Sequence, residues 1–100
     1  MATTTKALAR TAAATTSTTL YTVPAGSSAV ITNIVIANPT TAAITATIAL
    51  DGVSLVPAVS IAANSVFGFD LKQVLAATKT ITGFASSTSG TFHISGVEVA

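Results

Sequence analysis

Apolar and polar positions along the chain alternate over short stretches, at the period of a strand and not of a helix. Ala43 to Leu50 is the clearest case: Ile44, Ala46, Ile48 and Leu50 share one parity, Thr45, Thr47 and Ala49 the other. Such alternation marks a strand with one buried face. Asp51-Gly52 follows, the pair that a two-residue type I′ hairpin requires, and Val53 to Val56 returns. Thr18 to Val23 is a β-rich run stopped by Pro24-Ala25-Gly26, where proline and glycine supply the turn dihedrals. Ala29 to Ala37 is apolar on both parities except at Thr32 and Asn33, which predicts a central strand, and Asn38-Pro39 breaks it. Val59 to Ile61, Ser65 to Leu71, Thr78 to Ala85 and Thr91 to Val99 complete the set.

Three segments stand apart. Leu71 to Ala76 (LKQVLA) is the one stretch with helix-forming composition, and a helical turn is expected there. In the last strand Phe92 and Ile94 share one parity and Val97 and Val99 the other. This predicts a β-bulge near Ser95-Gly96 and places Glu98 on the outer face. Residues 1–17 hold Ala and Thr without large-residue periodicity, and their threonine runs disfavour a helix. They read as an extended N-terminal arm, with residues 18–100 as the domain. Seven or eight short strands with regularly spaced turn signals predict an all-β fold, a small antiparallel β-sandwich of jelly-roll or immunoglobulin-like type. The inward set includes Ile34, Ile36, Ile44, Ile48, Leu50, Phe92 and Ile94.

Composition sharpens this picture through charge. Charged residues make up 7% of the 100 residues, against about 25% in an ordinary soluble domain, and none lies between Thr11 and Leu50. So little charge protects a free monomer poorly from self-association, which predicts a homo-oligomer, set at a trimer. A formal net charge of +1 gives no electrostatic case for nucleic acid or anionic lipid as a partner. No cysteine is present, so disulfide and thiolate staples are excluded. The first ten residues carry no apolar core of a secretory signal, and no long apolar run suggests a membrane span. The expectation is synthesis in a cytoplasm.

Candidate chemistry is sparse. Asp51 is explained by its turn, Asp70 by a local partner such as Lys72 or by capping of the Leu71 turn. His93, the single histidine, opposes Phe92 and Ile94 in parity and so faces outward or into an interface. One histidine and three dispersed carboxylates do not make a metal site, which needs three or four convergent ligands. No serine has the partners of a triad, and no glycine string resembles a phosphate loop. The expectations are therefore no enzyme, no cofactor and no small-molecule substrate. Threonine fills about a fifth of the chain, and the pairs Thr45/Thr47 and Thr80/Thr82 align hydroxyls on strand faces. Ice-binding proteins share that look, but no solenoid period accompanies it here.

The strings LYTVPAGSSAVITNIVIANPT (Leu20 to Thr40), SIAANSVFGFDLKQVLAATKTI (Ser60 to Ile81) and HISGVEV (His93 to Val99) resemble small β-sandwich virion proteins of tailed bacteriophages, the capsid decoration or cement type. The chain departs from their turn motifs with Ala62 in place of a proline and Thr78-Lys79 in place of Gly-Asp. The resemblance implies a protein of the virion surface, made in the host cytoplasm, that bridges subunits of the major capsid protein. A tail, neck or fibre-base protein is the alternative within the same particle, and a threonine-rich ice or surface binder the alternative outside it. In that family's manner the arm would tie neighbours together, with Lys6, Leu8 and Arg10 as the partner-binding residues.

Overall fold

A computed structural model describes residues 3–100. Eight strands form two four-stranded sheets: β1 (Thr3–Ala12), β2 (Thr18–Thr22), β3 (Ser28–Asn38), β4 (Ile44–Leu50), β5 (Val53–Ile61), β6 (Ser65–Leu75), β7 (Thr80–Ala85) and β8 (Thr91–Val99). Sheet A has the order β1-β8-β3-β6 and sheet B the order β2-β7-β4-β5. Every pairing is antiparallel. First pairs with last, second with seventh, third with sixth, fourth with fifth. The chain is one long double ribbon wrapped until β3 meets β8 and β4 meets β7. That is a jelly roll, and it decides against the immunoglobulin arrangement, in which the strands divide differently between the sheets.

The core lies between the sheets. Sheet A contributes Ile31, Ile34, Ile36, Phe92 and Ile94, and sheet B contributes Ala46, Ile48, Val56 and Ile81, all at 2% exposure or less. Leu50, expected among them, is only partly buried. Asp51 and Gly52 both take positive φ (53° and 76°), as the I′ turn demands. The Pro24 turn closes through Ser27 N–H to the Pro24 carbonyl at 3.2 Å, with Gly26 at φ 82°.

Four expectations are corrected. The arm is extended but does not stand apart: residues 3–12 are β1, paired along their length with β8 of the same chain. Its first two residues lie outside the described residues. Leu71 to Ala76 is not a helical turn, because Val74 and Leu75 pair with Val30 and Ala29 and carry β6 to its end. Pairing of this edge strand with β3, a central strand, outweighs weak local propensity. Val53 to Ile61 is one strand despite Pro57, since β5 is an edge where a missing N–H is tolerated. Ala58 takes φ 51° there, and its N–H turns to the Thr47 hydroxyl at 3.2 Å.

The fourth correction concerns the bulge. β8 runs without interruption, and its neighbours carry the extra residues: Leu8 in β1 opposite Ser95/Ile94, and Thr32 in β3 opposite Gly96/Ser95. Gly96 explains the site. A β-carbon there would collide with the Val30 carbonyl oxygen and lie 2.8 Å from Leu8 Cδ1. The bare glycine lets β3 close in and seats the Leu8 side chain. Parity therefore stays intact through Glu98, which shares the inward side with Phe92, Ile94 and Gly96.

Candidate functional site

The charged residues do not converge. Asp51 sits in its turn, 3.7 Å from Lys79 Nζ. Asp70 accepts from Asn33 Nδ2 at 3.0 Å, so its local partner is an asparagine on the neighbouring strand. His93 stands on the outer side of sheet A beside the Thr91 hydroxyl, 3.4 Å from Nε2. Among the described residues no group of three or more His, Asp or Glu could hold a metal ion. Two shallow depressions exist. One, of about 270 Å³, lies over Asn38, Pro39 and Asn64; the other, of about 430 Å³, lies over Thr32, Asp70, Leu71 and Lys72. The first is lined by no ionisable group, and the second holds one carboxylate and one ammonium, Asp70 and Lys72, with no histidine or second carboxylate beside them.

The proposed contact residues of the N-terminal segment separate. Leu8 is 6% exposed and belongs to the core. Lys6 Nζ lies 3.3 Å from Glu98 Oε2, and the Tyr21 hydroxyl donates to the same oxygen. Tyr21 comes from sheet B, Lys6 and Glu98 from sheet A, so the cluster links the sheets at one end of the sandwich. Burial foremost, then the hydrogen bond to Glu98, pushes the Tyr21 phenol above its ordinary value. The Tyr21 bond foremost, then Lys6, holds the Glu98 carboxyl below its own, against an opposing effect of desolvation. Sequence reasoning missed this link because it set Glu98 on the outside. Arg10 alone of the three points away from the fold, on the outer side of β1 beside His93 of β8.

What remains is surface. Alternation and register define two outer faces. Sheet A shows Arg10 from β1, His93, Val97 and Val99 from β8, Val30, Asn33 and Val35 from β3, and Val66, Asp70, Lys72 and Val74 from β6. Val66 and Val74 are 64% and 72% exposed. Sheet B shows Thr19 and Thr22 from β2, Thr80, Thr82 and Phe84 from β7, Thr45 and Thr47 from β4, and Ser54 and Ser60 from β5. One face is lined with valine, the other with hydroxyl groups, and the strand positions of the second carry no charge. The first carries its charges on the edge strands and valines between them, and broad apolar or charge-free patches of this kind are typical of contact surfaces.

No family model matches the chain, and no curated protein matches it in sequence. Among solved structures, a pentameric capsid protein isolated from metagenomic phage sequences is similar at 17% identity with a TM-score of 0.37. The match covers 95% of this chain and 61% of that one, so the chain spans under two-thirds of that protein's length.

Proposed function

We propose that the chain is a structural virion protein, a decoration or cement protein that stabilises a phage shell by bridging subunits of the major capsid protein. The observation that carries this reading is the pair of broad outer faces, one lined with valine and one without charge, on a jelly roll whose three carboxylates are each held by a neighbouring side chain. Such a molecule acts by occupying contact area, not by transforming a substrate. Its motif strings, which resemble those of phage virion β-sandwiches, point to the particle where such contacts are repeated. On a lattice the number of copies multiplies a modest interface, so no single contact has to be tight. The protein associates with itself as well as with the shell, and is placed on the virion surface after synthesis in the host cytoplasm. The jelly roll supports many functions, so the faces and not the fold carry the reading.

The test is binding. Purified chain is added to particles assembled without it, and their resistance to heat or to loss of internal pressure is measured. Saturable binding with raised resistance is expected; particles that neither bind it nor change would refute the role. A tail, neck or fibre-base position differs by binding at few sites per particle. The hydroxyl face of sheet B favours a further reading, a surface binder that acts as a free chain. That reading requires altered ice-crystal growth by the chain alone, and Thr82→Lys in the middle of the face should then abolish it.

A further inference from the structure

We propose that the outer face of sheet A is where two copies of this chain pair, stacked face to face about a two-fold axis parallel to the strands. This deepens the self-association in the proposed function, and it concerns the purified chain without any particle.

The two outer faces differ in what solvent does for them. Threonine and serine hydroxyls on sheet B are satisfied by water. On sheet A the valines at 30, 35, 66, 74, 97 and 99 gain only by being covered, at about 25 cal/mol for each Å² removed from water. Four strands about 4.8 Å apart and some ten residues long, at about 3.3 Å per residue, give a face of about 600 Å². Two such faces together bury about 1,200 Å², enough to clear the roughly 1,000 Å² of a specific contact.

Charge fixes the occupant as a second copy. Arg10 stands on one edge strand, β1, and Asp70 on the other, β6. Arg10 lies level with His93, and Asp70, through Asn33, lies level with Ser95. The two levels are adjacent outward positions, about 6.6 Å apart along the strands. A two-fold axis between β8 and β3 exchanges the edges and preserves the levels. It sets Arg10 of each copy against Asp70 of the other, within reach of the long arginine side chain, and does so twice. Asn33 holds the carboxylate in place at 3.0 Å. The other charges raise no conflict. His93 comes opposite Val35, and Lys72, next outward along β6 beyond Asp70, comes opposite the Thr5 and Ala7 region of β1.

Sedimentation of the full chain tests this, with circular dichroism to confirm folding of each variant. Wild type is expected to be a dimer at micromolar concentration. Arg10→Asp and Asp70→Arg each weaken it about tenfold, equivalent to about 1.4 kcal/mol, and the doubly reversed chain recovers. Val97→Asp gives a folded monomer, whereas Thr82→Asp on sheet B leaves the dimer intact. The proposal is overturned by a wild-type monomer, by an odd-numbered assembly, by failure of the double reversal to recover, or by loss of the dimer in Thr82→Asp. None of these results decides whether the chain binds phage particles, so the virion role stands or falls separately.

Discussion

Asn38 is the one buried polar residue among the described residues, and its hydrogen bonds explain why. Its Nδ2 faces the carbonyls of Ala42, Ile61 and Ala62 at 2.9–3.0 Å, and its Oδ1 accepts from the Thr40 N–H and hydroxyl. Two amide hydrogens shared among three carbonyls tie the end of β3 to the end of β5 across the sheets. Asn38→Ala strands buried carbonyls and should cost about 2–4 kcal/mol in urea unfolding, at about 1–3 kcal/mol for each group left unpaired. Asn38→Asp should cost more at neutral pH, since a carboxylate would face carbonyl oxygens. An Asp variant as stable as wild type would contradict this. The sequence showed Asn38 as a strand breaker before Pro39; its buried role depends on β5, a partner distant in sequence. Ile48, fully buried, was legible from alternation alone, and Ile48→Ala should cost about 2–5 kcal/mol. Gly96→Ala should cost at least about 1–3 kcal/mol by overpacking against the Val30 carbonyl and Leu8. A neutral effect there would mean that β3 and β8 can separate.

At the scale of elements, the strand β1 and the link at its start matter most. The sequence left residues 1–17 as an arm because β1 places so few large residues in the core: Leu8 and Ala9 are buried in it, and the rest is small or polar. Pairing with β8, not hydrophobic periodicity, makes this segment a strand, and pairing is invisible in a one-dimensional pattern. Deleting residues 3–12 should therefore lower the melting temperature and expose the β8 edge to aggregation. An unchanged melt would return β1 to the status of an arm. The Tyr21–Glu98–Lys6 link gives this end of the sandwich a pH dependence. Glu98 titrates below its ordinary 4.5, so its contribution is present above that value and is lost as pH falls through the depressed one. Tyr21 titrates above its ordinary 10.0, so its contribution holds below pH 10 and is lost as pH rises further. Tyr21→Phe should lower the urea midpoint at neutral pH, and its difference from wild type should shrink in acid. A difference constant with pH would show that the phenol and Glu98 do not act together. The bulge teaches the same lesson as β1: the sequence located the irregularity at Ser95-Gly96, but which strand absorbs it depends on the neighbours.

The whole molecule is a jelly roll whose faces differ in chemistry, 46 Å long and 21 × 17 Å across. Its class was legible because turns such as Asp51-Gly52 and Pro24-Gly26 carry their own dihedral requirements, and because Ile44 to Leu50 alternates cleanly. The choice between jelly roll and immunoglobulin-like sandwich was not legible, since it rests on β1 joining β8 and thereby making eight strands. The outer faces were half legible. Low charge is the sequence's one argument for association, while the division into a valine face and a hydroxyl face appears only once register assigns each residue to a side. Of the three expected contact residues only Arg10 stays exposed on an outer face, whereas Leu8 is consumed by the core and Lys6 by the link to Glu98. The central claim, a structural role in a phage particle, is tested most directly by a mass-spectrometric copy count of this chain in purified particles. A decoration protein is expected there in a fixed, high ratio to the major capsid protein. Absence of the chain from intact particles would contradict it.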